Sequence, residues 1–240
     1  KLSFVNYVKF CIILHIMSKT KNFLLGIAAG ASIALGGLLN IIVKTYIKGD
    51  VEIIGKLLGS ALFPIGLCLV CFFGLNLFTG KIGFVLDKKG EKFPLTLLIM
   101  YLGNFVGAVL FGSICFLIFR NVPEIYETVK TIAVNKTSTL NTAGGIFTNL
   151  GGALLCGVLV YTAVFFFKKF KNPVLKVIGI LIPIALFVYL GFDHCIANMF
   201  YFSFALDDLS PWLILNLALA TIGNSLGAIA VNEFTKPLKK

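Results

Sequence analysis

The residues best suited to chemistry lie in one short stretch, Gly191-Phe192-Asp193-His194-Cys195-Ile196-Ala197-Asn198, which places an acid, an imidazole and an amide inside a hydrophobic region. Apolar residues 177–190 precede it and residues 199–206 follow it. Ionisable groups within a membrane span are rare, face the protein interior and usually mark a path for a substrate or a proton. Because a span needs roughly 20 residues, neither flank crosses a bilayer alone. Together they predict one broken helix with His194 at the break.

The composition is that of an integral membrane protein. Hydrophobic residues make up 58% of the 240 residues, charged residues only 13%, and the mean hydropathy is +0.98, far above the values of soluble domains. The net charge of +11 does not predict nucleic-acid binding, because the lysines fall in short clusters between apolar runs. The six cysteines lie in apolar surroundings, where a free thiol behaves as a small hydrophobe. Cys68 and Cys71 form Cys-x-x-Cys without further ligands nearby, so no disulfide, metal or cofactor is expected.

Six apolar segments are predicted to cross the membrane, which defines an all-α membrane protein with six transmembrane helices. The second segment is interrupted at residues 74–81 and the fifth at residues 191–198. The spans are expected at residues 23–43, 57–86, 95–119, 146–167, 177–206 and 212–231. Residues 1–22 are interpreted as an N-terminal interfacial segment, residues 121–145 as an extracytoplasmic loop and residues 235–240 as a cytoplasmic tail.

The distribution of basic residues predicts the orientation in the membrane. With six spans both termini lie on one side, and fifteen of the 21 Lys and Arg residues fall on that side. Short loops rich in Lys and Arg are retained in the cytoplasm. Both termini are therefore expected to be cytoplasmic, in a multi-pass protein of the cytoplasmic (inner) membrane.

An internal repeat divides the chain into two halves, residues 23–120 and 146–234. Gly103-Asn104-x-x-Gly107-Ala108 in the third span is echoed 120 residues later by Gly223-Asn224-x-x-Gly227-Ala228 in the sixth. Each half has three spans and breaks its second span, and an odd number of spans places the halves in opposite orientations. Interrupted helices at matching positions of two inverted repeats are a sequence indication of a transport site.

These motifs together resemble the formate/nitrite transporter family. The resemblance is carried by Leu77-Phe78-Thr79-Gly80, by Gly103-Asn104-x-x-Gly107-Ala108 and by residues 191–199, and it covers nearly the whole chain. It implies an aquaporin-like protomer with broken second and fifth helices, embedded in a lipid bilayer and assembled as a homopentamer with one pore per protomer. It implies small monovalent anions of weak acids as substrates: formate, nitrite or hydrosulfide.

The resemblance also assigns roles to individual residues. It implies that His194 is the central pore histidine, that Thr79 bonds near it, and that Lys136 makes the outer vestibule positive. The apolar constrictions and mobile loop of the family fall here on Phe63, Leu67, Leu77, Phe78 and Phe187.

Two positions depart from the family pattern. Cys156 stands where formate members often carry asparagine, and Asp193 stands where glutamate is usual. Loss of the amide removes a group that can hold a carboxylate, so the sequence favours the hydrosulfide branch. Asp193 itself is expected to cap a half-helix or to orient His194.

A mechanism follows from the cost of burying charge. An anion between Phe and Leu side chains loses its hydration, at a cost of several kcal/mol or more, whereas its protonated form does not. Lys136 would concentrate the anion, the helix ends at the breaks would offer N–H groups, and Thr79 and Asn198 would complete the site. His194 would either relay a proton or donate a hydrogen bond, and both roles stay open here.

Competing functions are weighed on motifs. An aquaporin-like channel for small neutral solutes is the alternative, although neither break contains Asn-Pro-Ala. An enzyme is not expected, because His-Glu-x-x-His, paired intramembrane carboxylates and a serine nucleophile motif are absent. A potassium channel would need Thr-Val-Gly-Tyr-Gly. Channel and active transporter are not distinguished.

Overall fold

The described residues of the computed structural model, 4–87, 92–208 and 210–239, contain only helical regular elements. Nine α-helices are found in these ranges, joined by loops and short 3-10 turns. The helices are α1 (Phe4–Tyr46), α2 (Glu52–Leu62), α3 (Ile65–Phe72), α4 (Lys92–Phe119), α5 (Pro123–Asn135), α6 (Ala143–Lys169), α7 (Pro173–Leu190), α8 (Cys195–Phe204) and α9 (Leu213–Thr235).

Six helical stretches of the described residues are long and apolar enough to cross a membrane, with hydropathies from 1.7 to 2.3. They are Met17–Tyr46, Gly49–Phe72, Phe93–Phe119, Ala143–Lys169, Pro173–Leu190 and Leu213–Thr235. This confirms the predicted all-α fold with six transmembrane helices.

Both predicted helix breaks are present, and glycines in the left-handed conformation end the helices before them. Gly74 has φ +65° after α3, and Gly191 has φ +76° as the C-cap of α7. Glycine adopts this conformation without the steric cost that a Cβ brings. The chain leaves the helix at these points, and residues 73–81 and 192–194 connect to a 3-10 turn (Ile82–Leu86) and to α8.

The two halves repeat the same helix contacts. In the first half α4 packs on α1, and in the second half α9 packs on α6. A Cβ built on Gly107 would lie 2.0 Å from the carbonyl oxygen of Ile27, and one built on Gly227 would lie 2.1 Å from that of Leu154. The glycines of the repeated motif therefore allow each helix pair to touch backbone to backbone, and the inverted three-helix repeats are confirmed.

Three helices have an extent that the sequence did not predict. Helix α5 lies inside the region predicted as a loop, and buries Ile125, Val129 and Ala133 along one face. Helix α7 begins four residues earlier than predicted, at Pro173, where Asn172 caps it and proline suits the first turn. Helix α1 is continuous from Phe4, so no break separates the predicted interfacial segment from the first span.

Candidate functional site

The two helix breaks meet at one hydrogen bond. Oγ1 of Thr79, from the first break, lies 2.9 Å from Nε2 of His194, from the second, although 115 residues separate them in the chain. Thr79 is fully buried and His194 is 2% exposed. The fold thus brings together the two polar side chains that the sequence placed in separate interruptions.

The backbone of α8 fixes the tautomer of His194. The imidazole is the N-cap of α8, and its Nδ1 accepts a hydrogen bond of 3.2 Å from the backbone N–H of Ala197. A proton on Nδ1 would set two N–H groups against each other, so the ring proton is on Nε2 and is donated to Oγ1 of Thr79. The ring also stacks on Phe187, with centroids 5.8 Å apart. His194, and not Asp193, caps this half-helix.

Three neighbouring cavities, each sharing lining residues with the next, lie near this hydrogen bond. The largest of them, called the vestibule, has a volume of about 410 Å³ and is lined in part by Lys44, Lys136 and His194. The second, the chamber, holds about 10 Å³ beside His194, roughly the space of one water. The third, the mouth, holds about 270 Å³ beside Lys81 and Lys168.

Apolar side chains separate these cavities. Phe63 and Phe187 line both the vestibule and the chamber, and their rings meet edge to face with centroids 5.7 Å apart. Leu77 lines both the chamber and the mouth, and Leu67 adds to the chamber wall. Four of the five residues assigned to constrictions therefore surround the chamber.

Three predicted site residues, Thr79, Phe78 and Cys156, lie outside the described linings of the three cavities. Phe78 packs edge to face on Tyr101 at 5.0 Å, and its backbone N–H is held by Asn104, so its ring lies outside the described linings of the three cavities. Cys156 is fully buried on α6 between Gly152 of the vestibule wall and Val160 of the chamber wall. Its side chain belongs to neither described lining.

Asp193 is the centre of a buried polar network at the vestibule. Its carboxylate accepts a hydrogen bond of 3.0 Å from Nζ of Lys136, and bonds of 2.8 Å from Asn149 and 2.6 Å from Asn198. Asn198 also donates to Asn216, whose amide reaches the backbone oxygen of Lys136. The aspartate thus holds Lys136 and Asn198 in place, while the His194 ring is oriented by α8.

Among the polar residues of the vestibule wall that sequence reasoning missed are Asn40, Lys44 and Asn149. Lys44 follows Asn40 by four residues, so both lie on one face of α1, and no ion pair to Lys44 is found among the described residues. Asn149 lies two helical turns before Cys156 on α6. The available signal in the sequence was the pair Asn40 and Lys44, two polar residues one helical turn apart at the end of the apolar α1.

Six spans in two inverted repeats, with cavities meeting at paired helix breaks, define a membrane transport protein. The sequence model described as Formate/nitrite transporter matches residues 13–235. The chain belongs to the formate/nitrite transporter family, whose members are transport proteins and not enzymes.

Individual relatives agree with this assignment. The formate channel FocA of Haemophilus influenzae is 29% identical over 248 aligned positions, which cover 91% of this chain and 87% of the relative. The formate channel BtFdhC of Bacillus thuringiensis is 32% identical over 217 positions, covering 85% and 81%. A solved pentameric formate channel with formate bound superposes with a TM-score of 0.83 at 25% identity, covering 93% and 98%. The predicted fold is thereby confirmed.

Proposed function

We propose that this protein conducts small monovalent anions of weak acids across the cytoplasmic membrane, with one pore in each protomer running from the vestibule through the chamber to the mouth. The observation that carries the proposal is that His194 lines the chamber together with Phe63, Phe187, Leu67 and Leu77, while its Nε2 lies 2.9 Å from Oγ1 of Thr79. This arrangement sets the imidazole of His194 at the wall of the smallest of the three cavities, which is otherwise lined by apolar side chains.

The apolar walls select for the protonated form of the substrate. Stripping the hydration from an anion in such surroundings costs several kcal/mol or more, and protonation removes most of this cost. The chamber volume of about 10 Å³ leaves little room for accompanying water. A small weak acid satisfies this requirement, because it is an anion in water and becomes neutral on taking up one proton.

Within this path His194 acts as a hydrogen-bond donor through Nε2. Its Nδ1 is occupied by the N–H of Ala197, so the ring offers one proton, on the side of Thr79. A substrate entering the chamber can take the place of Thr79 as acceptor of that bond. The tautomer supports positioning of the substrate by His194, with the proton for the anion supplied by water from the vestibule.

Lys44 is the cation that attracts the anion most strongly from outside. Lys136 is paired with Asp193 at 3.0 Å and its side chain is 11% exposed, so its field is largely compensated. Lys44 lines the same vestibule, and no carboxylate is paired with it among the described residues. Long-range attraction of this kind raises the local concentration of an anion at the entrance.

The assembly proposed is a homopentamer with both termini in the cytoplasm. The solved formate channel that matches 93% of this chain is pentameric, which supports the pentamer. The excess of Lys and Arg on the side of the termini supports the orientation. Large exposed apolar side chains, such as Phe147 and Ile214, provide surfaces for lipid and for neighbouring protomers.

Formate, nitrite and hydrosulfide are the proposed cargo. The matching relatives are named formate channels, which supports formate. The case for hydrosulfide rests on Cys156, and its burial outside the described cavity linings weakens that case.

The test is flux of the three anions into proteoliposomes containing the purified protein, at one pH, with chloride and glycerol as controls. Flux of at least one weak-acid anion above that of both controls is expected. Glycerol flux without anion flux would instead establish the neutral-solute channel, and no flux of any solute would contradict the proposal.

A further inference from the structure

Two fully buried asparagines of the repeated motif, Asn104 on α4 and Asn224 on α9, contact the two helix breaks in the same way. Oδ1 of Asn104 accepts from the N–H of Phe78 at 2.8 Å, and its Nδ2 donates to the backbone oxygen of Asn76 at 2.8 Å. The asparagine therefore bridges residues on either side of Leu77, immediately before Thr79.

Asn224 repeats this arrangement at the second break. Its Oδ1 accepts from the N–H of Cys195 at 2.9 Å, and its Nδ2 donates to the backbone oxygen of Asp193 at 2.8 Å. The two bonded residues flank His194. The corresponding distances at the two breaks agree to within 0.1 Å.

Each asparagine is also anchored to the first helix of its own repeat. Nδ2 of Asn104 donates to the oxygen of Gly26 on α1 at 2.9 Å, and Nδ2 of Asn224 donates to that of Ala153 on α6 at 2.8 Å. Each side chain thus makes three hydrogen bonds with one acceptor and two donors, which only an amide of this length provides.

Glycines of the repeat make this reach possible. A Cβ built on Gly30 would lie 2.1 Å from the backbone oxygen of Asn104, and one built on Gly157 would lie 2.2 Å from that of Asn224. Any larger residue would push the third helix of the repeat away from the first. The close contact between the first and third helices of each repeat therefore does more than pack the helices. It also places an asparagine at each helix break.

We infer that Asn104 and Asn224 are a matched pair of positioning residues that set the distance between Thr79 and His194, and through it the anion flux through the pore. Neither side chain belongs to the described lining of the vestibule, chamber or mouth, so both act on the substrate only through the residues they hold. The inference rests on the proposed function only for its effect on flux. The geometric part is independent of it.

The test uses His194 as a spectroscopic reporter. The chain has two histidines, His15 and His194, so ¹⁵N-histidine labelling of the full-length His15→Gln protein in lipid gives the ring signals of His194 alone. Nitrogen NMR then reports an unprotonated Nδ1 and a protonated Nε2 separately. The parental protein is expected to show one such pair.

Three variants are compared in that background. Asn224→Leu should shift or split both ring signals, because residues 193–195 lose their anchor. Asn104→Leu should alter the Nε2 signal and leave Nδ1 unchanged, because it displaces Thr79 but not α8. The matched control is Asn232→Leu, which removes an equally buried asparagine of α9 two turns from Asn224, and should leave both ring signals unchanged.

Flux and thermal stability of the same variants complete the test. The two positioning variants should lose anion flux about tenfold or more, since a displacement of about 1 Å between groups that act together costs up to about a hundredfold. Ring signals and flux equal to those of the parental protein, with only a lowered Tm in all three variants, would overturn the inference.

A further pair of variants covers failure to assemble. If the leucine variants do not fold, Asn104→Asp and Asn224→Asp keep the acceptor for Phe78 or Cys195 and replace the donating amide by a carboxylate oxygen that faces the two backbone oxygens. They should reproduce the same pattern of ring signals, and unchanged signals would again contradict the inference. Absence of anion flux in the parental protein would refute the proposed function alone, since the ring signals still decide the positioning.

Discussion

Nζ of Lys136 lies 3.0 Å from Oδ1 of Asp193, and both side chains are 11% exposed at the wall of the vestibule. The lysine belongs to the connection after α5 and the aspartate to the break before α8, so this ion pair fastens that connection to the second helix break. The pair agrees with the proposal that Lys136 is a structural partner of Asp193 and that Lys44, which lines the same vestibule, attracts the anion.

Replacement of Asp193 by asparagine should destabilise the fold. Asp193→Asn keeps the shape of the side chain but leaves the Lys136 charge without its partner, and breaking such a buried pair costs about 3 kcal/mol. For a chain of this size that energy corresponds to a decrease in Tm of roughly 6 to 12 °C. Thermal unfolding in detergent measures it. The double variant Asp193→Asn with Lys136→Met should recover most of the loss, and a parental Tm in the single variant would contradict the prediction.

Neutralising Lys44 should slow anion uptake in a salt-dependent manner. The Debye length falls from about 30 Å at 0.01 M salt to about 3 Å at 1 M, so a cation that acts at long range loses its effect as salt rises. Lys44→Gln should therefore reduce uptake at low salt and change it little at high salt. The double variant Lys136→Met with Asp193→Asn is the comparison, and should show a weaker salt dependence because it removes a compensated pair and leaves the net charge of the vestibule unchanged. Equal salt dependence of both variants would refute the division of roles.

Removal of the His194 ring should abolish anion flux without dissociating the oligomer. Because His194 also caps α8, the informative variant is His194→Asn, which retains a capping acceptor but has no Nε2–H to offer in the chamber. Flux is expected at the background level of empty liposomes, while size-exclusion chromatography shows the parental oligomer. Thr79→Val, which removes only the acceptor of that ring proton, should weaken flux less. Parental flux in His194→Asn would exclude His194 from the pore.

Truncation of Phe187 should relax the size limit. Its ring and that of Phe63 separate the vestibule from the chamber, so Phe187→Ala should raise the flux of acetate relative to formate. The measurement is the ratio of the two fluxes in the same proteoliposomes. Phe147→Ala, which removes a ring that is 74% exposed on α6, should keep the parental ratio. An unchanged ratio in Phe187→Ala would show that this ring does not limit passage.

A methyl group at the tight contact between α6 and α9 should destabilise the protein. The Cβ of Gly227→Ala would lie 2.1 Å from the backbone oxygen of Leu154, and overpacking of this kind costs about 1 to 3 kcal/mol. Gly151→Ala is the matched control on α6, where a Cβ meets nothing within 4 Å. It should be stabilising by about 0.4 to 1 kcal/mol. The free energies of unfolding of the two variants are compared in the same detergent. Equal changes in both would contradict the prediction that Gly227 is at a close helix contact.

The features that follow local rules were predictable from the sequence. Hydrophobic length determined the six spans, and glycine and polar residues within apolar runs marked the two breaks, because a helix in a membrane leaves its hydrogen-bond ladder only where other groups replace it. The repetition of Gly103-Asn104 as Gly223-Asn224 revealed the two halves. Helix α5 was missed since its apolar face is short and it lies in a polar connection, where burial depends on neighbouring helices.

The partners of each polar side chain were decided by the tertiary structure alone. A buried carboxylate needs a partner, and Asp193 could meet that need by bonding to His194, by capping α8 or by pairing with Lys136. Only the position of the connection after α5 decides that the partner is Lys136. Phe78 and Leu77 are adjacent apolar residues of one loop, yet the bond from Asn104 to the Phe78 backbone turns one ring to the core and leaves the other side chain at the chamber. The residue types determine which buried polar groups need hydrogen-bond partners. Hydrogen bonds of about 3 Å between residues more than a hundred positions apart, such as Thr79 and His194, form only once the helices have packed.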